Sequence, residues 1–273
     1  MDIGGFALII GGGGGIGKAC AVAFAKEGAS GVMIADIDLE SAALAIAECK
    51  RVSERSDFRA EVTSIDVTCE SSVKKAVAQT VMCFSRVDYC VICAGLVIQK
   101  GKETSLADAT DFDRFLDVNV KGTFLATRDV TAAMKLQEPR ENDDMGKRGH
   151  SRGAIVIMGS VSSFLPQPRQ IQYTASKHAV LGIAKNAALD NATWGIRVNC
   201  LCPSWVDTPM VQRAVKAVPG LQQTIDKAVP LGRLALPAEI ADTAMFLCSP
   251  RSSYITGSSI IIDGGTTLMP SAG

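Results

Sequence analysis

Ala7-Leu8-Ile9-Ile10-Gly11-Gly12-Gly13-Gly14-Gly15-Ile16-Gly17-Lys18 is the stretch on which the fold reading turns. An apolar run predicted as a strand, Phe6–Ile10, stops at a glycine turn, and a helix is predicted over Ile16–Glu27. A strand, a glycine turn and a helix in that order aim backbone N–H groups and the positive end of a helix dipole at one point, where a pyrophosphate can sit. Glycine suits the turn because a Cβ would hold phosphates away and block the tight chain reversal. Gly11, Gly14, Gly15, Ile16 and Gly17 are therefore candidate cofactor contacts. Asp36 ends the second apolar run about 20 residues further on, where a carboxylate accepts from ribose hydroxyls and repels a 2′-phosphate. That favours NAD over NADP, and no basic residue directly follows Asp36. An ordinary N-cap or turn Asp is the alternative reading.

Outward from this turn, the chain alternates short β-branched runs with longer amphipathic ones. Further strands are predicted at Gly31–Ala35, Ala60–Ile65, Val87–Ile92, Ala154–Met158, Arg197–Leu201 and Ser259–Ile262. Helices are predicted at Leu39–Val52, Glu70–Phe84, Ala109–Lys135, Tyr173–Ala192 and Pro237–Cys248, with Asp111 and Pro237 near two of the starts. Such alternation predicts an α/β fold: a doubly wound parallel sheet of about seven strands with helices on both faces, in one domain over 1–273. Functional residues are then expected just after strand ends. Two segments break the rhythm. Gln137–Arg152 is polar and reads as a mobile surface loop. Thr208–Leu236, punctuated by Pro209, Pro219, Gly220 and Pro230, reads as short helices forming a substrate lid.

The 273 residues carry 28 Lys+Arg against 28 Asp+Glu, so no charge excess points to nucleic acid or an anionic membrane. No apolar run approaches the ~20 residues of a membrane span, and no signal peptide is predicted. Nine cysteines scattered through apolar segments suggest buried thiols in a reducing, cytoplasmic compartment. Cys90 and Cys93 form a C-x-x-C, but in a strand residues one and four point to opposite faces, which argues against a shared metal. No metal site is expected.

Three polar residues suggest chemistry. Ser160 follows a predicted strand, and Tyr173 and Lys177 lie one helical turn apart on one face. An ammonium beside a phenol favours the phenolate, which fits Tyr173 for acid–base work at a carbinol or carbonyl oxygen that Ser160 can also reach. Taken alone, such a pair is more often a surface contact.

Together these segments resemble the short-chain dehydrogenase/reductase family, of the single-domain Rossmann-like type with a Tyr-x-x-x-Lys motif, from Ile3 to Gly265. The resemblance rests on Gly11–Gly17, on Tyr173-Thr174-Ala175-Ser176-Lys177 with Ser160 before it, and on Asn119 in Asp117-Val118-Asn119-Val120. Arg197-Val198-Asn199-Cys200-Leu201-Cys202-Pro203, Ile255-Thr256-Gly257 and Ile262-Asp263-Gly264-Gly265 add to it. It implies that Tyr173 is the acid/base, that Lys177 promotes its ionisation and binds the nicotinamide ribose, and that Ser160 positions the substrate oxygen. It implies that Asn119 holds a helix kink and a water. Asp66 and Val67 would meet adenine, Ala94 and Gly95 would line the cofactor, and Pro203, Val206 and Thr208 would flank the nicotinamide carboxamide. The sequence departs from the family pattern at Ile10, Gly14, Cys93 and Ser204, none of them a proton-transfer group.

The expected activity is hydride transfer between NAD and a secondary alcohol or ketone of an apolar small molecule. The pocket is expected between Val161–Gln172 and the lid, with Phe164, Leu165, Trp205, Met210 and Val211 lining it and Arg169 in solvent. An NADP-dependent carbonyl reductase and a non-catalytic dinucleotide-binding regulator are the alternatives. The resemblance also implies a homotetramer or homodimer assembled through the two long helices.

Overall fold

In the computed structural model, which describes residues 3–98, 101–142 and 145–268, the strands in chain order are β1 (Phe6–Ile10), β2 (Gly31–Asp36), β3 (Arg59–Ser64), β4 (Tyr89–Ile92), β5 (Arg140–Glu141), β6 (His150–Ser151), β7 (Gly153–Met158), β8 (Ile196–Pro203) and β9 (Ser259–Ile262). Seven of them form one parallel sheet in the order β3-β2-β1-β4-β7-β8-β9, and β5 and β6 pair as a separate antiparallel hairpin. The helices are α1 (Gly15–Lys26), α2 (Leu39–Val52), α3 (Glu70–Phe84), α4 (Ala109–Phe115), α5 (Gly122–Lys135), α6 (Ile171–Asn191), α7 (Pro209–Ala217), α8 (Leu221–Ala228) and α9 (Pro237–Cys248). This is the doubly wound architecture the alternation implies.

Each strand feeds both layers, because successive side chains point to opposite faces. On one face Ala7, Ile9, Val32, Ile34, Val91, Val156 and Leu201 pack with α1, α2 and α9. On the other, Leu8, Ile10, Met33, Cys90, Ile92, Ile155 and Ile157 pack with α3, α5 and α6. Each large aliphatic side chain fully buried here contributes about 2 kcal/mol. Cys90 belongs to the second cluster while Cys93 packs against the first, so the C-x-x-C thiols lie on opposite sides of the sheet.

The register sets the position of everything functional. Thr63, Ala35, Ile10, Ile92, Ile157, Cys200 and Ser259 form one row across all seven strands. The chain therefore leaves the sheet along a single carboxyl edge. Strand order reverses between β1 and β4, the point at which such sheets open a crevice.

Several elements differ from the sequence reading. The helix expected over Ala109–Lys135 is interrupted: α4 ends at Phe115, and Leu116–Lys121 forms a π-helical turn before α5. Asn119 lies within that turn, and its side chain bonds to Leu96 and Ser176, outside its own helix. The start of α4 is capped by Asp108, which accepts from Asp111 N at 2.9 Å, so Asp111 lies inside the helix. Gln137–Arg152, expected as a plain loop, contains the β5–β6 hairpin. Its ends are tied together, because the Gln137 amide accepts from Val87 N and donates to Val87 O and Arg152 O, while Arg152 Nε donates to Gln137 O. Positions 143 and 144 of that segment lie outside the described residues. Thr208–Leu236 does contain two short helices, α7 and α8, and α7 begins at Pro209 under a Thr208 cap. Among the described residues no helix is long and apolar enough to cross a membrane.

A latch closes the far side of the sheet. Asn199, 1% exposed, donates to Ile255 O at 2.9 Å and accepts from Ser258 N at 3.0 Å. Thr256 Oγ1 accepts from Val198 N at 3.1 Å, and Arg197 donates to the carbonyls of Cys248, Ser249 and Ile255. Asn199→Ala would leave the part-buried Ser258 N–H without its acceptor and Ile255 O with Arg197 alone. It is expected to cost about 2 kcal/mol, read as a lower urea midpoint with an unchanged slope.

Candidate active site

The glycine turn is built by close approach. Gly11 has φ +78°, and a Cβ there would lie 2.5 Å from the backbone nitrogen of Ala94. A Cβ on Gly17 would overlap the Gly11 carbonyl oxygen. These glycines let the β1–α1 turn sit against the end of β4. At Gly14, by contrast, nothing lies within 4 Å of where a Cβ would go, so that face of the turn is open. The first N–H groups of α1, at Gly15, Ile16 and Gly17, have no partner inside the helix by construction. A concave, open turn lined by such donors fits a pyrophosphate.

Asp36 stands at the end of β2. Its Oδ2 accepts from Gly13 N at 2.8 Å and its Oδ1 from Asp38 N at 3.0 Å. The carboxylate is thereby fixed beside the glycine turn, an arrangement the sequence reading did not contain. Thr208 approaches from the other side: its Cγ2 would lie 3.2 Å from a Cβ on Gly15.

The second group gathers at the ends of β4 and β7. Lys177 on α6 is 6% exposed, and its Nζ donates to Met158 O at 2.8 Å, the last residue of β7. The same Nζ lies 5.8 Å from the centroid of the Tyr173 ring, one turn earlier on the helix. Phe115 meets Tyr173 edge-on at 6.3 Å. The Asn119 side chain accepts from Leu96 N at 2.7 Å and donates to Leu96 O at 3.1 Å and to Ser176 Oγ at 3.0 Å. Gly95 lies between these groups, since a Cβ there would be 3.2 Å from Asn119 Oδ1 and 3.8 Å from Lys177 Nζ. Asn119, Gly95, Lys177 and Tyr173 thus converge although they come from three separate segments.

Ser160 follows β7 and is buried. Its Oγ accepts from Ser162 N at 3.1 Å, and Ser163 Oγ accepts from Ser160 N at 3.3 Å, which fixes the short turn Val161–Ser163 against α6. Accepting that bond leaves the Ser160 hydroxyl hydrogen for another partner.

The remaining predicted residues lie along the same edge. The Asp66 carboxylate accepts from the Thr68 hydroxyl at 2.7 Å and from Thr68 N at 2.9 Å, which holds it below the usual carboxylate range. Val67 packs so closely on Gly122 that a Cβ there would come within 2.9 Å of its side chain. Pro203 ends β8, and Val206 is buried in an isolated bridge to Ala235. Of the expected pocket residues, Phe164, Leu165 and Met210 are exposed, and Trp205 and Val211 are half-buried. Arg169 lies in solvent, 3.4 Å from Glu103. A cavity of about 460 Å³ uses Pro166–Ile171, but its other wall is Thr174, Ala175 and His178. Neither Tyr173 nor Lys177 lines this cavity.

Sequence reasoning missed Phe115, Leu96, Ser163, Ser176 and the Met158 carbonyl. Ser176 had a visible signal, lying inside the Tyr173–Lys177 repeat. The others act through backbone atoms or long-range packing, which spacing does not encode.

A family described as enoyl-(acyl carrier protein) reductase matches residues 11–267. The chain is 56% identical to a short-chain dehydrogenase, fogB, of Aspergillus ruber over 98% of both chains. It is 35% identical to a 2,5-dichloro-2,5-cyclohexadiene-1,4-diol dehydrogenase of Sphingobium indicum, covering 97% of this chain and 98% of that one. Among solved structures, a short-chain type dehydrogenase/reductase from Mycobacterium ulcerans superposes with a TM-score of 0.85 at 27% identity, over 96% of this chain and 90% of that chain.

Two glycine substitutions separate packing from open space. Gly17→Ala is expected to lose up to about 3 kcal/mol through overpacking against Gly11. Gly14→Ala is expected to stay within about 0.5 kcal/mol of the parent. Urea unfolding of both variants checks the contrast.

Proposed function

The chain belongs to the short-chain dehydrogenase/reductase family, and on that premise we propose that it moves a hydride between NAD and a secondary alcohol or ketone on an apolar, ring-bearing small molecule. The observation that carries the reading is the buried Lys177 ammonium, fixed by the Met158 carbonyl and set against the ring of Tyr173. Members of this family are oxidoreductases acting on alcohol or carbonyl groups of small molecules.

When bound, NAD supplies the hydride acceptor, and its reduced form the donor. The chain supplies the rest. Tyr173 Oη takes the alcohol proton in oxidation and returns it in reduction. Lys177 stands beside the Tyr173 ring throughout that exchange. Ser160 donates its hydroxyl hydrogen to the substrate oxygen. Asn119 locks the Leu96 segment and Ser176 in place, which keeps Lys177 and Tyr173 aimed at the groove. Gly11, Gly14, Gly15, Ile16 and Gly17 would cradle the phosphates, and Asp66, Val67, Ala94, Gly95, Pro203, Val206 and Thr208 would flank the rest of the dinucleotide.

The preference for NAD rests on Asp36. Its carboxylate is held against Gly13 N, so a 2′-phosphate would meet a fixed negative charge. The open face of Gly14 offers no cation to offset it. For the substrate, the exposed Phe164, Leu165 and Met210 follow Ser160 and Thr208 in the chain and provide apolar surface. The name of the Sphingobium relative, a cyclohexadiene-diol dehydrogenase, supports a hydroxylated ring. Exposed Phe124 on α5 and Leu189 on α6 support self-association through those helices. The nine free thiols support a reducing compartment such as the cytoplasm.

Titration with NADH and NADPH, followed by a panel of cyclic alcohols and ketones read by NADH absorbance, tests the proposal. NADH is expected to bind more tightly; tighter NADPH binding would overturn the role given to Asp36. Asp36→Ala is expected to weaken NADH binding about tenfold or more, the scale of a lost charge-assisted hydrogen bond. Tyr173→Phe is expected to cut turnover about 1000-fold while leaving NADH affinity nearly unchanged; a near-parental rate would sink the acid–base assignment.

A further inference from the structure

Cys200 and Cys202 occupy alternate positions of β8, so their side chains share one face of the sheet. Their sulfurs are 3.7 Å apart, and neither residue has any exposed surface. They flank Gly159, where a Cβ would lie 2.7 Å from Cys200 Sγ and 2.8 Å from Cys202 Sγ. Gly159 N in turn donates to Leu201 O at 2.7 Å, the residue between the two cysteines. The next residue in the chain is Ser160, whose turn is closed by Ser163. The two thiols thus support the backbone that carries the proposed substrate-positioning serine.

Their surroundings are polar on one side. The hydrogen bond from Cys200, together with Ser160 N–H, the Ser163 hydroxyl and the charge of Lys177, holds the Cys202 thiol below its ordinary range. The same pairing and burial push Cys200 up. By contrast, Cys49 and Cys248 are each pushed up to about 12, chiefly by burial. A thiolate is the reactive form toward peroxides.

We propose that Cys200 and Cys202 form a peroxide-sensitive dithiol whose oxidation to an intramolecular disulfide displaces Gly159–Ser160 and switches off turnover. The Cys202 thiolate attacks one oxygen of hydrogen peroxide. The O–O bond breaks, and the departing hydroxide takes up the proton that Cys202 released on ionising and leaves as water. Cys202 is now a sulfenic acid. Cys200 Sγ attacks that sulfur, the S–O bond breaks, and the Cys200 proton leaves with the oxygen as a second water. Sulfur is oxidised to the disulfide, and the peroxide is reduced to two waters.

A disulfide needs the sulfurs at about 2.05 Å, well inside their present separation, and two residues of an extended strand reach this only with backbone movement. The movement falls on Cys200–Cys202, and therefore on the hydrogen bond and the packing that hold Gly159. Burial makes access the slow step, since the Val161–Ser163 turn must lift before peroxide can enter. Occupancy of the groove by NADH should slow the reaction.

The test treats the purified enzyme with hydrogen peroxide and follows two readouts. The tryptic fragment 198–213 contains Cys200 and Cys202 and no other cysteine. It is expected to become two hydrogens lighter, in step with a loss of turnover of about 100-fold, the scale of a small displacement in a catalytic site. Dithiothreitol should restore both. Cys200→Ala is expected to keep its turnover under the same exposure, because no disulfide can form. The proposal is overturned if the fragment from treated enzyme keeps both thiols, or if Cys200→Ala is inactivated in parallel with the parent. The effect on turnover rests on the role given to Ser160, whereas the fragment mass does not. A lighter fragment with unchanged turnover would therefore establish the disulfide and overturn the switch.

Discussion

A buried ammonium without a carboxylate beside it is the costly feature around which this molecule is arranged. Lys177 is almost wholly enclosed, and among the described residues no Asp or Glu forms an ion pair with it. Taking a charge out of water is unfavourable unless fixed dipoles replace the lost solvent. The Met158 carbonyl at the end of β7 is one such dipole, and the Tyr173 ring face adds another. The absence of a side chain at Gly95 leaves room for the amide of Asn119 nearby. The π-helical turn at Leu116–Lys121 places Asn119 where its side chain bonds to Leu96 and to Ser176, the residue before Lys177.

The register of the sheet makes this economical in parts. One row of paired residues crosses all seven parallel strands, so their carboxyl ends face one way, and residues placed just beyond Ile10, Ile92, Met158 and Pro203 share that edge. The two halves of the site are linked by the contact of Gly11 with Ala94. The glycine turn after β1 and the Lys177 cluster after β4 and β7 therefore share one edge. Displacement of either half would be felt by the other through β4.

The layered α/β fold, the glycine turn and the Tyr173–Lys177 spacing were legible in the sequence because each is a local pattern. A strand period of two and a helix period of 3.6 are written in consecutive residues, and so is a run of glycines between them. What escaped the reading depends on partners far along the chain. Nothing near Asn119 announces Leu96 or Ser176, and the hydrophobic spacing of Ala109–Lys135 passes smoothly through the π-helical turn. Gln137 looks like any polar residue of a loop until Val87 and Arg152 are placed beside it. Cys200 and Cys202 read as two ordinary buried thiols, because only the bare Cα of Gly159 lets their sulfurs stand together.

The excursion between β8 and α9 has a property that its residues do not show one by one. Val206 pairs with Ala235, and Asp207 N and Ala235 N each donate across the same neck, to Ala235 O and Trp205 O. The polypeptide leaves the body and returns through one pinned gate, so the span in between is closed at its base whatever its content. Lengthening such a loop adds only a logarithmic entropy term. The span 209–234 is thus an exchangeable cassette, whose length and sequence can drift while Thr208 keeps its place against Gly15 beneath.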